Sequence, residues 1–297
     1  MPSFSLVKSF STEYVAIIVT YNPDIKRLEK IFRRLCDDGI RILVVDNFSK
    51  NYKELIGLVL KYSIEIIENY SNLGISKALN LGISKVLEND KIKWILLLDQ
   101  DTVVAENYIE ICLKQLYNFY ENIPKVWVIR GKELYIDSKK SKESMRLIEI
   151  KESILSGSLV KREAFKNISF REDFFMDFVD TDFFRNIYKQ DHILLLYDKY
   201  LLEHVLGEQR FFLGKNINYE PIGRLYSMIK NSTILFFEKP SDYHIIFAGY
   251  IGIVPSIYFE GIFITSKVFL KAFFDALISI KRKKTDDFRN FCLNGTG

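Results

Sequence analysis

The sequence predicts an α/β fold: a Rossmann-like, mostly parallel central sheet flanked by helices, with a helical C-terminal extension. Three observations predict it. Short continuous apolar runs alternate with stretches of helical spacing, as in βαβ units. Each of the first strands stops at a polar turn, Thr20-Tyr21-Asn22, Asp46-Asn47-Phe48-Ser49 and Asp99-Gln100-Asp101. Towards the C-terminus the apolar residues keep helical spacing, so the chain divides into a main domain over 13–232 and a helical region over 233–297.

Val15-Ala16-Ile17-Ile18-Val19, bounded by Thr20-Tyr21-Asn22-Pro23, reads as a first parallel strand and its turn. Ile25, Leu28, Ile31, Phe32 and Leu35 then recur at helical spacing, with Pro23 before them and Gly39 after. Ile42 to Val45 is the second strand, and Leu55, Leu58, Val59 and Tyr62 mark a helix. Ile64 to Ile67 is a short strand, followed by a helix through Ile75, Leu79, Ile83 and Val86 or Leu87. Trp94 to Leu98 is the apolar run of a buried central strand. Further on, Val126 to Ile129 and Ile193 to Tyr197 read as strands, and the charged stretch Asp137 to Glu143 is placed on the surface. Asp180 or Asp182 is expected to cap a helix through Phe183, Phe184, Ile187 and Tyr188.

Composition removes several function classes. With 297 residues and 48% hydrophobic content, the chain fills one large domain with an appendage, or two modest domains. No repeat period or low-complexity tract occurs. A net charge of +4, without zinc-finger spacing or a basic stripe among aromatics, argues against a nucleic-acid partner. Cys36, Cys112 and Cys292 are far apart and odd in number, so they read as reduced thiols of a cytosolic protein. Met1 to Glu13 has no apolar core of signal-peptide length, and secretion is not expected. No GxGxxG follows a strand and no GxxxxGK[ST] occurs, which disfavours dinucleotide enzymes and P-loop NTPases.

In a parallel sheet the carboxyl ends of the strands share one edge, so the three polar turns converge on one crevice. Asp99 and Asp101 emerge there, and a pair of carboxylates needs a counter-charge. A hard divalent cation carrying phosphate oxygens supplies one, since Mg²⁺ takes one or two protein carboxylates and fills its other positions with water and phosphate. The alternative is a polar turn that caps the next helix. Asn72-Leu73-Gly74 and Asn80-Leu81-Gly82 suit a backbone that turns tightly against a ligand. Between Phe170 and Asp182, acids alternate with large hydrophobes; they line a wet cleft or cap a helix, because isolated buried carboxylates are costly. His204, beside acids, reads first as a structural hydrogen-bonding residue. Arg224, Tyr226 and Lys230 read as a solvated basic helix face.

Taken in order, certain pieces resemble the family-2 glycosyltransferases and, within them, the bacterial rhamnosyltransferases. They are Thr20-Tyr21-Asn22-Pro23, Val45-Asp46-Asn47 with Ser49, Asn72-Leu73-Gly74-Ile75 with Asn80 and Gly82, and Leu97-Leu98-Asp99-Gln100-Asp101. Ser156-Gly157-Ser158, Phe175 to Asp182, His204 with Leu206-Gly207, and Arg224-Leu225-Tyr226 with Lys230-Asn231 continue the series to residue 232. The resemblance implies a GT-A fold and an inverting, metal-dependent transfer from a nucleotide-diphosphate sugar, foremost L-rhamnose from dTDP-L-rhamnose. The implied acceptor is a lipid-linked or growing cell-surface polysaccharide. The resemblance makes Asp99 and Asp101 ligands of Mg²⁺ or Mn²⁺, with His204 a further metal or diphosphate contact. It gives Thr20, Tyr21, Asn22, Asp46 and Asn47 to the nucleotide pocket, and extends donor binding to Asn72, Gly74, Asn80, Asp99, Gln100 and Arg224. Asp180 becomes the general base, with Asp177 and Asp182 as supporting acids. Two positions depart from the pattern: Leu225-Tyr226 replaces two aromatics after the arginine, and Asn47 stands where many members carry a second aspartate.

Other donor sugars (galactofuranose, glucose, N-acetylglucosamine) stay open, as does a non-catalytic, membrane-attached assembly subunit. A nucleotidylyltransferase is disfavoured, because Thr20-Tyr21-Asn22-Pro23 stands where its glycine-rich loop belongs. Ile245 to Phe259 is uncharged but falls short of the ~20 residues that a spanning helix needs. Beyond it, Lys267, Lys271 and Asp275 form a narrow stripe, while Phe263, Val268, Leu270, Phe273, Phe274, Leu277 and Ile278 cover the rest, ahead of Lys281-Arg282-Lys283-Lys284. Such a helix is expected to lie in a membrane interface, at the inner face of the cell membrane. The alternative is that it packs on the catalytic domain or on a second copy in a homo-oligomer.

Overall fold

The computed structural model describes residues 12–135, 142–204, 209–219 and 221–294. Most of the expected surface stretch after Ile136, and Leu206-Gly207, lie outside them; of Lys284 and Cys292 only the backbone is described.

β1 (Tyr14–Thr20) is the expected first strand, and its Val15 to Ile18 are buried on both faces. α1 (Ile25–Asp37) starts where the Asp24 carboxylate accepts the Arg27 amide at 3.0 Å and stops where Gly39 turns left-handed at φ 69°. Its apolar stripe of Leu28, Ile31, Phe32 and Leu35 is buried against the sheet core. β2 (Arg41–Asp46), α2 (Tyr52–Lys61), β3 (Glu65–Glu68), α3 (Ile75–Leu87) and β4 (Trp94–Asp99) complete a parallel half-sheet in the order β3-β2-β1-β4. The register sets Thr20 beside Asp46 and Val19 beside Asp99, so three strands end at one level.

The expected tight turn at Asn80-Leu81-Gly82 is absent, because all three residues lie within α3. A Cβ on Gly82 would stand 2.9 Å from Val45 and 3.0 Å from Ile17, so this glycine lets the helix pack closely on β1 and β2.

Past β4 the chain runs through β5 (Val103–Val104), α4 (Tyr108–Phe119), β6 (Val126–Tyr135), β7 (Leu147–Ile150) and β8 (Ser158–Lys161). α5 (Ala164–Asn167), α6 (Val179–Lys189) and β9 (Ile193–His204) follow. The sheet continues β4-β8-β6-β9-β5, with β7 also on β9. β8 is antiparallel to β4 and β6, β6 and β9 are parallel, and β5 and β7 oppose β9. The sheet is therefore parallel in its first half and mixed in its second. Parallel neighbours need a long crossover, usually a helix. Among the described residues between β6 and β8 there is none, and β8 enters antiparallel. α6 begins at Val179, which puts Asp180 and Asp182 in its first turn rather than at the cap. Acids there still face the positive end of the helix dipole.

Up to Asp173, and from Val179 to the break after His204, the chain forms one compact unit; residues 174–178 and those from 209 onward form a second. The second unit holds an antiparallel hairpin, β10 (Gln209–Phe212) and β11 (Lys215–Asn218). α7 (Ile222–Glu238), α8 (His244–Tyr250), α9 (Ile253–Glu260) and α10 (Ile262–Asn294) follow. α10 lies along α7 through Ala272, which meets the buried Leu225 and Ile229. Tyr226 donates its hydroxyl to Asp275 at 2.6 Å; burial, then that carboxylate, push its pKa up to about 12. Among the described residues no helix is long and apolar enough to cross a membrane.

Candidate active site

The register of two strands assembles the acid cluster. β5 is only two residues long, but it pairs with the end of β9, Val103 beside Glu203 and Val104 beside Leu202. Thr102 thereby comes opposite His204, and its Oγ1 lies 2.5 Å from Nδ1 of the imidazole. Asp101 Oδ1 stands 3.6 Å from the same nitrogen. One ligand atom each from Asp99, Asp101 and His204 fall within 4.8 Å of one another. Asp101 Oδ1 is buried and accepts no hydrogen bond, a costly state for a carboxylate oxygen that faces no positive charge. Two carboxylates and an imidazole fit a divalent ion that keeps open positions for water and phosphate. The Thr102 hydroxyl, with Tyr135 edge-on to the ring at 5.5 Å, orients the imidazole as outer partners of metal-binding histidines do.

A second layer holds β4 in place. The Asp99 amide donates to Ser156 Oγ at 3.0 Å, and the Gly157 amide donates to Leu97 O at 2.8 Å. The Tyr108 hydroxyl donates to Gly157 O at 2.5 Å and accepts from the Gly131 amide at 2.8 Å. Complete burial holds that phenol well above its ordinary pKa, so it stays a donor. Gly157 is left-handed at φ 81°, and a Cβ there would meet Leu202 Cδ1 at 2.3 Å. Leu202 is itself buried. Gly157→Ala is therefore expected to destabilise the protein by about 2–4 kcal/mol, the sum of left-handed strain and overpacking, read as a lower urea midpoint.

The other two turns interlock with the first. Gln100 braces Tyr21 from both sides, its Oε1 accepting the Tyr21 amide at 2.8 Å and its Nε2 donating to the Tyr21 carbonyl at 3.2 Å. Asp46 is fully buried, and its carboxylate accepts from the Thr20 hydroxyl, the Ser49 hydroxyl and the Ser49 amide. Asn22 takes φ 48°, its amide donating to Ser49 Oγ and its side-chain oxygen accepting the Lys50 amide. Asn47 donates to Asn72 Oδ1 at 2.8 Å and accepts the Leu73 amide at 2.9 Å. An ionised aspartate could accept the Leu73 amide but could not donate to Asn72, so Asn47 suits this pair of bonds. Asn72 Oδ1 also accepts the Gly74 amide, where the chain turns at φ 81° into α3. Tyr21 and Phe48 leave their rings exposed beside these turns.

The downstream acids separate by environment. Asp182 is buried, with Oδ1 3.7 Å from the Arg171 guanidinium and Oδ2 accepting from Asn186 at 3.2 Å. Asp180 is half-buried, and its Oδ1 accepts the Thr181 amide at 2.8 Å. Of these two, Asp180 is the more open to a substrate. The Asn80 amide group clamps Phe170, donating to its carbonyl at 2.9 Å and accepting its N–H at 3.0 Å. In the second unit Arg224 Nε donates to Asp177 Oδ1 at 2.7 Å, and Asn231 Nδ2 donates to the carbonyls of Met176 and Asp177.

Sequence reasoning passed over Arg27, Thr102, Tyr108 and Ser156 as contributors. Ser156 lies within Ser156-Gly157-Ser158, to which no single role attached. Arg27 and Tyr108 sit in helical patterns, where a basic or aromatic residue gives no sign of what it reaches.

A mixed sheet with a carboxylate pair and a histidine at its carboxyl edge has the architecture of GT-A glycosyltransferases. The profile described as glycosyl transferase family 2 matches residues 15–178, more than half of the chain, and the chain belongs to that family. A dTDP-rhamnosyl transferase RfbF of Shigella flexneri is 27% identical over 235 residues, covering 74% of this chain and 78% of that protein. Among solved structures, the crystal structure of GalNAc-T7 with UDP, GalNAc and Mn²⁺ is similar, with a TM-score of 0.51 at 12% identity. The match takes in 68% of this chain but 44% of that one, so the chain spans less than half of that structure's length, and the likeness concerns the fold alone.

Proposed function

We propose that the protein is an inverting, metal-dependent glycosyltransferase that moves L-rhamnose from dTDP-L-rhamnose onto a lipid-linked or growing cell-surface polysaccharide. The observation that carries this reading is the Asp99, Asp101 and His204 group, in a chain similar to a dTDP-rhamnosyl transferase over 74% of its length.

In this reading the triad holds Mg²⁺ or Mn²⁺. When bound, the ion supplies positive charge against the donor diphosphate. Thr20, Tyr21, Asn22, Asn47, Asn72 and Gly74 shape the nucleotide pocket, and the buried Asp46 fixes their turns. Asp180 takes the proton of the acceptor hydroxyl as that oxygen attacks the anomeric carbon from the face opposite the diphosphate; a single displacement inverts the centre. Asp182, tied to Arg171 and Asn186, anchors the first turn of α6. Gln100 and Asn80 serve by bracing main chain. A thermal-shift and donor-hydrolysis screen tests the donor assignment, because a ligand that binds only the native state raises apparent stability. dTDP-L-rhamnose with Mn²⁺ is expected to give the largest shift and the fastest hydrolysis. A larger response to UDP-galactofuranose, UDP-glucose or UDP-N-acetylglucosamine would reassign the donor, and no response to any would favour a non-catalytic subunit.

The acceptor side of the reading draws on α10. Phe263, Leu270, Phe274 and Ile278 are exposed along it, followed by exposed Lys281, Arg282 and Lys283. An anionic lipid surface at the cytoplasmic face of the membrane suits that combination and would hold the enzyme beside a lipid-linked acceptor. Replacing Lys281 and Arg282 by Gln is expected to weaken binding to phosphatidylserine vesicles about 30-fold, at ~1 kcal/mol per basic residue. Unchanged flotation would contradict membrane docking, and a concentration-dependent mass without vesicle binding would give this face to a second copy of the chain.

A further inference from the structure

We propose that Arg27 is a positioning residue, a latch across the two chain segments that present the metal ligands, and that it sets the affinity of the triad for a divalent ion. The inference rests on the metal reading of Asp99, Asp101 and His204 given above.

Arg27 lies in the first turn of α1, with its own amide held by the Asp24 carboxylate. Its side chain is only 11% exposed, whereas Lys26, Lys30 and Arg33 of the same helix are exposed. The guanidinium spends its donors on two targets. Nε donates to the Asp101 carbonyl at 2.9 Å; Nη2 donates to the Glu203 carbonyl at 3.0 Å, and Nη1 to the Glu203 carboxylate at 2.6 Å. One target is the main chain of a metal ligand, and the other directly precedes the histidine ligand.

Those two segments come from distant parts of the sequence, the turn after β4 and the end of β9, joined by the short β5 ladder. A ladder of that length leaves its end free to fray. Arg27 ties that end from outside, and Glu203 compensates the charge, so the latch does not repel the incoming ion. A planar fork is needed to meet two carbonyls and a carboxylate at once; a lysine ammonium cannot span them. Outer partners of this kind typically govern metal affinity by about 10–100-fold.

The test is Mn²⁺ binding to the full chain without nucleotide, read from the free-ion EPR signal, in wild type, Arg27→Gln, Arg27→Lys, Glu203→Gln and Asp101→Asn. Arg33→Gln, an exposed change on the same helix, is the control. Arg27→Gln and Arg27→Lys are expected to weaken Mn²⁺ binding about 10–100-fold with little change in thermal midpoint, and Glu203→Gln to weaken it severalfold. Arg33→Gln should bind as wild type does. Wild-type affinity in both Arg27 variants, with binding lost in Asp101→Asn, would overturn the latch and leave the metal site standing. Undiminished binding in Asp101→Asn, or none in wild type, would instead overturn the metal reading itself. Should both Arg27 variants fail to fold, Glu203→Gln decides: wild-type affinity there overturns the latch, and severalfold loss supports it.

Discussion

Asp180→Asn is expected to slow sugar transfer by ~10²–10⁴-fold, roughly 3–5 kcal/mol in barrier, while donor binding stays close to wild type. The substitution keeps size and hydrogen-bonding capacity but removes the proton acceptor. The hydrogen bond that the Thr181 amide donates to Asp180 Oδ1, at 2.8 Å, can be accepted equally by an amide oxygen. Single-turnover kinetics with donor in excess isolates the chemical step. Near-wild-type turnover would take Asp180 out of the role, and Asp177 would then be tested next. Asp182 would be tested beside it, since both carboxylates are already engaged, Asp177 with Arg224 and Asp182 with Arg171 and Asn186.

Asp101→Ala is expected to behave differently, lowering both donor affinity and turnover, the latter by ~10²–10³-fold or more, as when a group that stabilises developing charge is removed. The variant deletes the buried Oδ1 that accepts no hydrogen bond, so the folded state should lose little stability. Comparing dTDP binding by calorimetry with and without Mn²⁺ separates the two effects. Wild type should gain affinity from the ion and Asp101→Ala should not; an equal gain in both would contradict ligation by Asp101.

Much of the site was legible because its first half sits on regular βα units. The apolar run of β4 ending in two acids, the bounds of α1 between Pro23 and Gly39, and the three polar strand ends all follow from periodicity and punctuation. The remainder was set by pairing across long sequence distances. β5 has two residues and shows no periodicity, yet its register against β9 carries His204 to Asp101. A lone histidine near acids carries no sign in sequence of which acids it will meet. Asn80 and Gly82 carried two readings, the helix through Ile75 to Val86 and a tight turn against a ligand; the helix forms, with Gly82 packed close to Ile17 and Val45 and Asn80 bonded to Phe170. Asp180 and Asp182 fall in the first turn rather than at the cap because α6 begins at Val179, two residues before the start that an Asp180 cap would set, a shift that composition cannot settle.

Transfer from dTDP-L-rhamnose after exhaustive chelation, followed by graded addition of Mn²⁺ or Mg²⁺, tests the metal-diphosphate role of Asp99, Asp101 and His204 most directly. Activity should vanish in the chelator, return with either ion in the wild-type protein, and fail to return in Asp101→Ala. Full turnover in the chelator, or complete restoration of the variant by added metal, would contradict it.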